Sequence, residues 1–373
     1  MKRVLYITNI PAPYTVEFFN DLGKNFDLTV VFEGKNSAER DQSWEKFNAI
    51  NFKYSIIEEK QNINPFVSTS GIKKMLNEGK YDLCIVGNYS SFIGMKTIEW
   101  LRRKKLPYAI HADGGIVGED SFLRYHVKRH FIRKAGLYFS SGHITTNYFT
   151  HYGAKKELVF EYPFSSVRAD QIRQDTDNAK YREKLGLPAN QKIIVSVGRI
   201  IPLKGVDVLI KSMSMVKTEA KLYIIGGAAT PDLAALVDTL KLNNVEFIEF
   251  LPFNTVLDYM AAADLFVFLT RGDVWGLVIN EAFSMGTPII STDKCVAAVE
   301  MIENGKNGYI VESENPEAAA ERIDFLLRHE DLCQRIKRNN IQKAAEYTIE
   351  SMSETYSRII NAFFEQRKYR GKE

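Results

Sequence analysis

Ser196-Val197-Gly198-Arg199-Ile200-Ile201-Pro202-Leu203-Lys204-Gly205 carries a strand, a turn and a helix start in ten residues. The apolar run 192–197 reads as a strand. It ends at a glycine, turns at a proline and leads into a helix expected to begin near Val206. Arg199 and Lys204 therefore lie at the C-terminal end of a strand and at a helix N-terminus, where backbone amides and the helix dipole favour an anion. Two cations in that position suit a diphosphate. The alternative is that they solvate a loop and pair with acids such as Asp207; the glycines on both sides and the strand-end position favour the anion.

Outward from this segment the same rhythm recurs. Short runs rich in Val, Ile, Phe and Tyr alternate with segments of helical periodicity, the pattern of parallel strands joined by crossover helices. In the first half, strands are expected at 4–8, 28–32, 54–57, 83–86, 108–111, 137–140 and 158–162, and in the second at 192–197, 221–225, 245–250, 265–269, 288–291 and 308–311. Between the two series lies a polar stretch, 164–187, with no buried-strand run. The expected fold class is α/β, two doubly wound parallel-sheet, Rossmann-like domains facing across a cleft. Domain boundaries are placed at 1–170, 171–350 and a closing helix 351–373 that packs back on the first domain. Ligands of such folds sit beyond the carboxyl ends of the strands.

Composition agrees with that plan. The 373 residues suffice for two domains, and 45% apolar with 25% charged residues is an ordinary globular balance. A net charge of +3 gives no reason to expect nucleic acid as a partner. Cys84, Cys295 and Cys333 are odd in number and far apart, which predicts neither a disulfide framework nor a zinc knuckle. Met1-Lys2-Arg3 resembles the start of a signal peptide, but Thr8, Asn9 and two prolines interrupt the apolar run behind it. The expectation is a cytoplasmic protein without a membrane-spanning segment.

A second signal is Thr270-Arg271-Gly272-Asp273-Val274-Trp275-Gly276-Leu277-Val278-Ile279-Asn280-Glu281-Ala282-Phe283-Ser284-Met285-Gly286-Thr287-Pro288. It follows a strand, passes through a glycine-flanked loop and starts a helix that carries Glu281. A carboxylate that accepts two hydroxyl hydrogen bonds holds a vicinal diol such as a ribose. Amides around Trp275, Gly276 and Leu277 can meet phosphate or sugar oxygens. Asp273 as a helix N-cap and Glu281 in a salt bridge are the structural alternatives.

Gly198-Arg199 with Lys204-Gly205, then Asp273 and Glu281 within Trp-Gly-Leu-Val-Ile-Asn-Glu-Ala, then Gly286 and Pro288, resembles the nucleotide-sugar domain of glycosyltransferase family 4. The likeness covers most of 190–315. It implies a retaining enzyme of the GT-B fold, of a kind that builds bacterial surface polysaccharides. By the same resemblance, Arg199 and Lys204 hold the donor diphosphate and Glu281 binds the donor ribose. Gly198 and the backbone of Trp275, Gly276, Leu277 and Val278 lie under the phosphates and hexose. Asp273 stands where the family usually has Glu, one methylene longer, and reaches a hexose hydroxyl. Ile225-Gly226-Gly227-Ala228-Ala229 replaces the family's usual glycine, acid, glycine loop, with Gly227 on the donor. The backbone of Phe250-Leu251-Pro252 meets the base, so Leu251 belongs to the donor site.

The first half offers fewer signals. Asn9-Ile10-Pro11-Ala12-Pro13-Tyr14 lacks the glycine fingerprint of a dinucleotide fold, which counts against a dehydrogenase. The resemblance puts Pro13 and Tyr14 near the donor phosphates and the acceptor; Phe18 and Phe19 read as core. His111 lies at a strand end, and the same resemblance implies that it contacts the donor sugar, with a buried structural histidine as the alternative. Asp113 is a further candidate for donor-sugar or acceptor contact. His126 and His130 lack the Glu of a zinc helix. Residues 101–134 hold nine Lys and Arg against three acids, either solvated helix faces or a patch for anionic lipid headgroups or a polyprenyl-phosphate acceptor. Leu123, Val127 and Phe131 read as a core stripe. Asp175-Thr176-Asp177 lies in the linker and reads as solvated.

Together these readings predict transfer of a hexosyl or N-acetylhexosaminyl unit from a nucleoside-diphosphate sugar, UDP favoured over GDP, to an acceptor hydroxyl. The acceptor is expected to be a lipid-linked saccharide in capsule, O-antigen or exopolysaccharide synthesis. No metal and no cofactor beyond the donor is expected, and any membrane contact is peripheral, on the inner face. A sugar-nucleotide epimerase on the same plan and an inactive nucleotide-sugar-binding module are the alternatives.

Overall fold

The computed structural model describes residues 1–34, 47–57 and 65–370. The chain divides into two compact units, Met1–Ser165 with Thr348–Glu373, and Ser166–Tyr347. Unit 1 holds a seven-stranded sheet of β1 (Arg3–Thr8), β2 (Asp27–Phe32), β3 (Lys53–Ile56), β4 (Leu83–Val86), β5 (Tyr108–Ala112), β6 (Leu137–Ser140) and β7 (Val159–Glu161). Their order is β3-β2-β1-β4-β5-β6-β7, and every pairing is parallel. Unit 2 holds β8 (Lys192–Val197), β9 (Ala220–Ile225), β10 (Val245–Ile248), β11 (Leu265–Phe268), β12 (Ile289–Thr292) and β13 (Gly308–Val311). Here the order is β10-β9-β8-β11-β12-β13, again all parallel.

Helices on both faces bury these strands, which is why they read as continuous apolar runs and not as alternating ones. Val4, Leu5, Tyr6 and Ile7 of β1 are buried without a break, as are Leu265, Phe266, Val267 and Phe268 of β11. Each unit has its own core. In unit 1 it runs through Leu5, Val86, Ile110 and Phe149, and in unit 2 through Ile194, Leu209, Leu222 and Val267.

The C-terminal helix, Ile349–Arg370, belongs to unit 1 and packs on helix Pro13–Leu22. Met352, Tyr356, Ile359, Ile360 and Phe364 are its buried stripe. Asn25 donates to the Ser357 hydroxyl at 3.1 Å, and the rings of Phe18 and Tyr356 meet edge-on at 4.9 Å.

The expected core stripe of Leu123, Val127 and Phe131 is overturned. Helix Phe122–Ile132 buries Ile132 fully, while Phe122 is 82%, Leu123 73% and Val127 45% exposed; Phe131 is partly buried. The reason is a polar anchor on the inward side. Lys128 pairs with Asp120 at 2.9 Å and meets the Tyr152 hydroxyl at 3.1 Å, which turns Tyr125, Lys128 and Ile132 inward and the 123/127 edge outward.

Candidate active site

The order of unit 2 reverses between β8 and β11, since the chain leaves β8 toward β9 on one side and β11 toward β12 on the other. Loops after two such strands diverge and leave a crevice at their carboxyl ends. Here they are Gly198–Gly205 after β8 and Leu269–Gly276 after β11, tied together by backbone. The Arg271 amide donates to the Leu203 carbonyl at 2.8 Å, and the Thr270 hydroxyl donates to the same oxygen at 2.9 Å. Gly205 makes this approach feasible: its φ is +65°, and a Cβ there would stand 1.9 Å from the Leu269 carbonyl oxygen. Asp207 is engaged from the other loop, by a two-pronged Arg271 at 2.8 Å on each oxygen, which holds its carboxyl below the usual range. Asp207, the alternative partner for Arg199 and Lys204, is thus paired with Arg271.

Lys204 joins the two loops directly, with Nζ 2.5 Å from Asp273 Oδ2. Both side chains are mostly buried, and Nζ also lies 5.4 Å from the centre of the Phe268 ring. Arg199 stands exposed on the first loop. Asp273 is pinned by its backbone, its amide donating to the Lys294 carbonyl at 3.0 Å. It does not cap the following helix, Leu277–Ser284, whose N-cap is Gly276 with no side-chain cap bond. That alternative is removed.

Gly276 adopts φ +99° with Cys295 Sγ only 2.6 Å from where a Cβ would lie. This close approach starts the helix so that the amides of its first turn, Leu277 and Val278, have no intrahelical acceptor. The Trp275 ring is buried, its Nε1 donating to Asn280 Oδ1 at 2.8 Å, so only backbone of this residue is available to a ligand. Glu281, one helical turn on, is 9% exposed and accepts from the Ser166 hydroxyl at 2.9 Å. Burial pushes its carboxyl up to about 7, against a smaller downward pull from Ser166. A salt bridge was the alternative for Glu281; a hydroxyl donor takes that place. Ser166 was not anticipated, because its contact is 115 positions away and no local motif marks it.

Gly226 and Gly227 follow β9, and a Cβ on Gly226 would lie 2.2 Å from the Gly198 carbonyl oxygen. The two glycine turns thus meet backbone to backbone, a reason for Gly-Gly that is independent of any ligand. Both amides donate to the Ile248 carbonyl, at 3.0 and 3.2 Å. Leu251 is half-buried in the loop after β10, beside an exposed Phe250.

In unit 1, His111 lies in β5 and is buried, with Asp113 half-exposed just beyond the strand. Pro13 is the first residue of helix Pro13–Leu22 and is exposed, while Tyr14 packs edge-on against Phe164 at 5.8 Å. Phe18 and Phe19 are core. Part of the basic segment is neutralised within itself, because Asp120 takes both Arg124 and Lys128. The Asp175-Thr176-Asp177 stretch is used locally: Asp175 pairs with Arg173 and Lys180, and Asp177 Oδ1 accepts from the Ala179 amide. Among the described residues there is no group of three or more His, Cys, Asp or Glu placed to hold a metal ion, and no helix is long and apolar enough to cross a membrane.

Residues 177–343 match the family described as glycosyl transferases group 1. The capsular polysaccharide biosynthesis glycosyltransferase CapM of Staphylococcus aureus is 28% identical over 222 residues, 57% of this chain and 58% of that protein. A D-inositol 3-phosphate glycosyltransferase of Corynebacterium glutamicum is 25% identical over 57% of this chain and 53% of its own length. The chain therefore spans little more than half the length of these curated relatives. The crystal structure of Anabaena HepE in complex with UDP and glucose superposes over 97% of this chain and 100% of its own, with a TM-score of 0.76 and 18% identity. That likeness carries the fold.

Proposed function

We propose that this chain, whose residues 177–343 match the group 1 glycosyl transferases and whose fold is GT-B, moves a hexosyl or N-acetylhexosaminyl unit from a nucleoside-diphosphate sugar to an acceptor hydroxyl, with retention at the anomeric carbon. The observation that carries this reading is the Lys204–Asp273 pair at the switch point of unit 2, 2.5 Å between Nζ and Oδ2. One cation there links a place for a diphosphate to a place for a sugar hydroxyl.

In this reading Arg199 and Lys204 hold the charge that grows on the departing diphosphate, assisted by the Leu277 and Val278 amides, and this electrostatic contribution is the largest one. Glu281 anchors the ribose and Asp273 takes a hexose hydroxyl. No side-chain nucleophile is invoked. The acceptor oxygen bonds to the anomeric carbon on the face from which the phosphate oxygen departs, and that phosphate oxygen takes the acceptor's proton. UDP is favoured as the nucleotide, and the HepE complex with UDP and glucose supports that choice. A polysaccharide precursor as acceptor is supported by the likeness to CapM, a capsular polysaccharide glycosyltransferase.

A lipid-linked acceptor is supported by the surface of helix Phe122–Ile132. Phe122, Leu123 and Val127 are exposed on the helix, Arg133 and Lys134 are exposed in the two positions that follow it, and Ile116 and Val117 are exposed in the segment that precedes it. Apolar insertion framed by cations suits weak, peripheral contact with an anionic bilayer.

A panel of nucleotide sugars, each incubated with and without a membrane-derived lipid-linked saccharide and followed by mass spectrometry, tests the function. The transferase reading expects acceptor gain of one sugar and release of nucleoside diphosphate, with turnover retained in chelator. Turnover to free nucleoside diphosphate without any acceptor points instead to the epimerase. Binding with no turnover points to an inactive module.

A further inference from the structure

At the end of β5 two buried rings, His111 and Tyr162, reach the half-exposed carboxylate of Asp113, and Tyr356 and Tyr6 pack against His111. His111 Nδ1 meets the hydroxyl of Tyr356, from the C-terminal helix, and His111 Nε2 lies 2.5 Å from Asp113 Oδ1. The Tyr162 hydroxyl reaches the same Oδ1 at 3.2 Å and the Ala112 carbonyl at 3.2 Å. Tyr6 completes the group, edge-on to His111 at 5.8 Å. Tyr356 is itself clamped: its ring stacks on Phe139 at 4.0 Å and 3°, with Phe18 and Tyr162 edge-on at 4.9 and 5.0 Å. Burial raises the Tyr6, Tyr162 and Tyr356 phenols well above their usual range, so they remain hydroxyls.

This geometry changes which residue can meet a ligand. Both nitrogens of His111 are engaged and its side chain is only 9% exposed, whereas the Asp113 side chain is 44% exposed. Among the described residues the two donors on Asp113 both use Oδ1, which leaves Oδ2 to accept from a hydroxyl. A carboxylate with one oxygen fixed by two donors is a directed acceptor, well suited to a single sugar hydroxyl.

We propose that Asp113 is the carboxylate by which unit 1 holds a saccharide hydroxyl, and that Tyr356 is a positioning residue acting on it through His111. The inference rests on the transferase reading and adds to it a role for the C-terminal helix, some 245 positions from β5. A chain cut before Tyr356 would keep the strand and loop that carry Asp113 and lose what aims it.

Tyr356→Phe keeps the stacked ring and removes only the hydroxyl, and Asp113→Asn keeps the shape and removes the charge. Each is expected to lower kcat/KM for sugar transfer about tenfold while nucleoside-diphosphate affinity, read by calorimetry, stays unchanged. The double variant is expected to be no worse than the poorer single one. The 15N signals of the His111 ring, assigned with His111→Gln, are expected to move in both single variants. Melting temperature, read alongside, identifies any variant that is merely unfolded. Tyr356→Phe at the wild-type kcat/KM, losses that multiply in the double variant, or His111 signals that overlay the wild type would overturn the proposal. Failure of the transferase reading looks different: the wild type is inert toward every nucleotide sugar, while the His111 signals still respond to Tyr356→Phe.

Discussion

Lys204 Nζ stands 2.5 Å from Asp273 Oδ2, across two loops whose residues are 69 positions apart in the chain. The pair is 14% and 21% exposed, so each charge compensates the desolvation of the other. In the proposed transfer, removing the cation takes away both the stabiliser of the leaving diphosphate and the partner of the acid. Lys204→Ala is expected to reduce kcat for transfer by roughly 10²–10³, the scale seen when one directed donor is lost from a charge-stabilising site. A double-mutant cycle with Asp273→Asn should return a coupling of about 1–2 kcal/mol in stability. Unchanged turnover in Lys204→Ala would remove the pair from the mechanism.

Glu281 is an acid whose folded pKa is raised, to about 7, by burial. Its ionisation therefore works against the folded state: the cost is absent below about 4.5, grows as the pH rises, and is complete above about 7. Glu281→Gln should raise the melting temperature at pH 8, by up to about 3 kcal/mol in stability, and the gain should vanish by about pH 4.5. A melting-temperature difference independent of pH would contradict this.

In the proposed ribose-binding role the same ionisation governs donor binding, because only the carboxylate form accepts from both ribose hydroxyls. Affinity for a nucleotide sugar, whose diphosphate does not titrate near neutrality, is expected to rise between pH 6 and 8. In Glu281→Gln the profile should be flat and the affinity lower by about tenfold. Calorimetry across that range gives the answer, and a flat wild-type profile counts against the ribose role.

Gly205 carries φ +65°, with the Leu269 carbonyl oxygen 1.9 Å from where a Cβ would lie. Gly205→Ala must push the two site loops apart. The expected destabilisation is about 2–4 kcal/mol, combining positive-φ strain with a backbone clash, and donor affinity should fall with it. Denaturant unfolding measures the first quantity; an unchanged midpoint would show that the loops separate at no cost.

On helix Phe122–Ile132 the exposed apolar edge predicts partitioning to anionic vesicles that weakens with salt. Phe122→Ser with Leu123→Ser removes two side chains, each contributing roughly 1.5–3 kcal/mol when buried. Sedimentation with phosphatidylglycerol vesicles should drop at least tenfold, while the fold is untouched because both positions face outward. Equal sedimentation of variant and wild type, or none by either, would remove the membrane contact.

How far the chain was legible from its residues varies with the range of the interactions involved. The strand positions are readable because a strand covered on both faces must be an uninterrupted apolar run, as in Val4 to Ile7 and Leu265 to Phe268. Gly198, Arg199, Lys204, Gly205, Asp273 and Glu281 are readable as a candidate set because strand-end loops and helix starts follow local glycine and proline chemistry and because their order resembles that of a known family. The orientation of helix Phe122–Ile132 is not, since a 123/127/131 stripe is compatible with facing in or out until Asp120 and Tyr152 anchor Lys128.

Two doubly wound sheets, and the order of cations and acids along the second, follow from periodicity and from residues within a few positions of each other. Which of those groups touch is set by the folded chain. It paired Lys204 with Asp273, put Arg271 on Asp207, brought Ser166 to Glu281, and closed Tyr356 onto His111 so that Asp113 is the half-exposed group. Each of these contacts joins residues that parallel-sheet topology carries together from distant parts of the chain, and no local pattern encodes such a meeting.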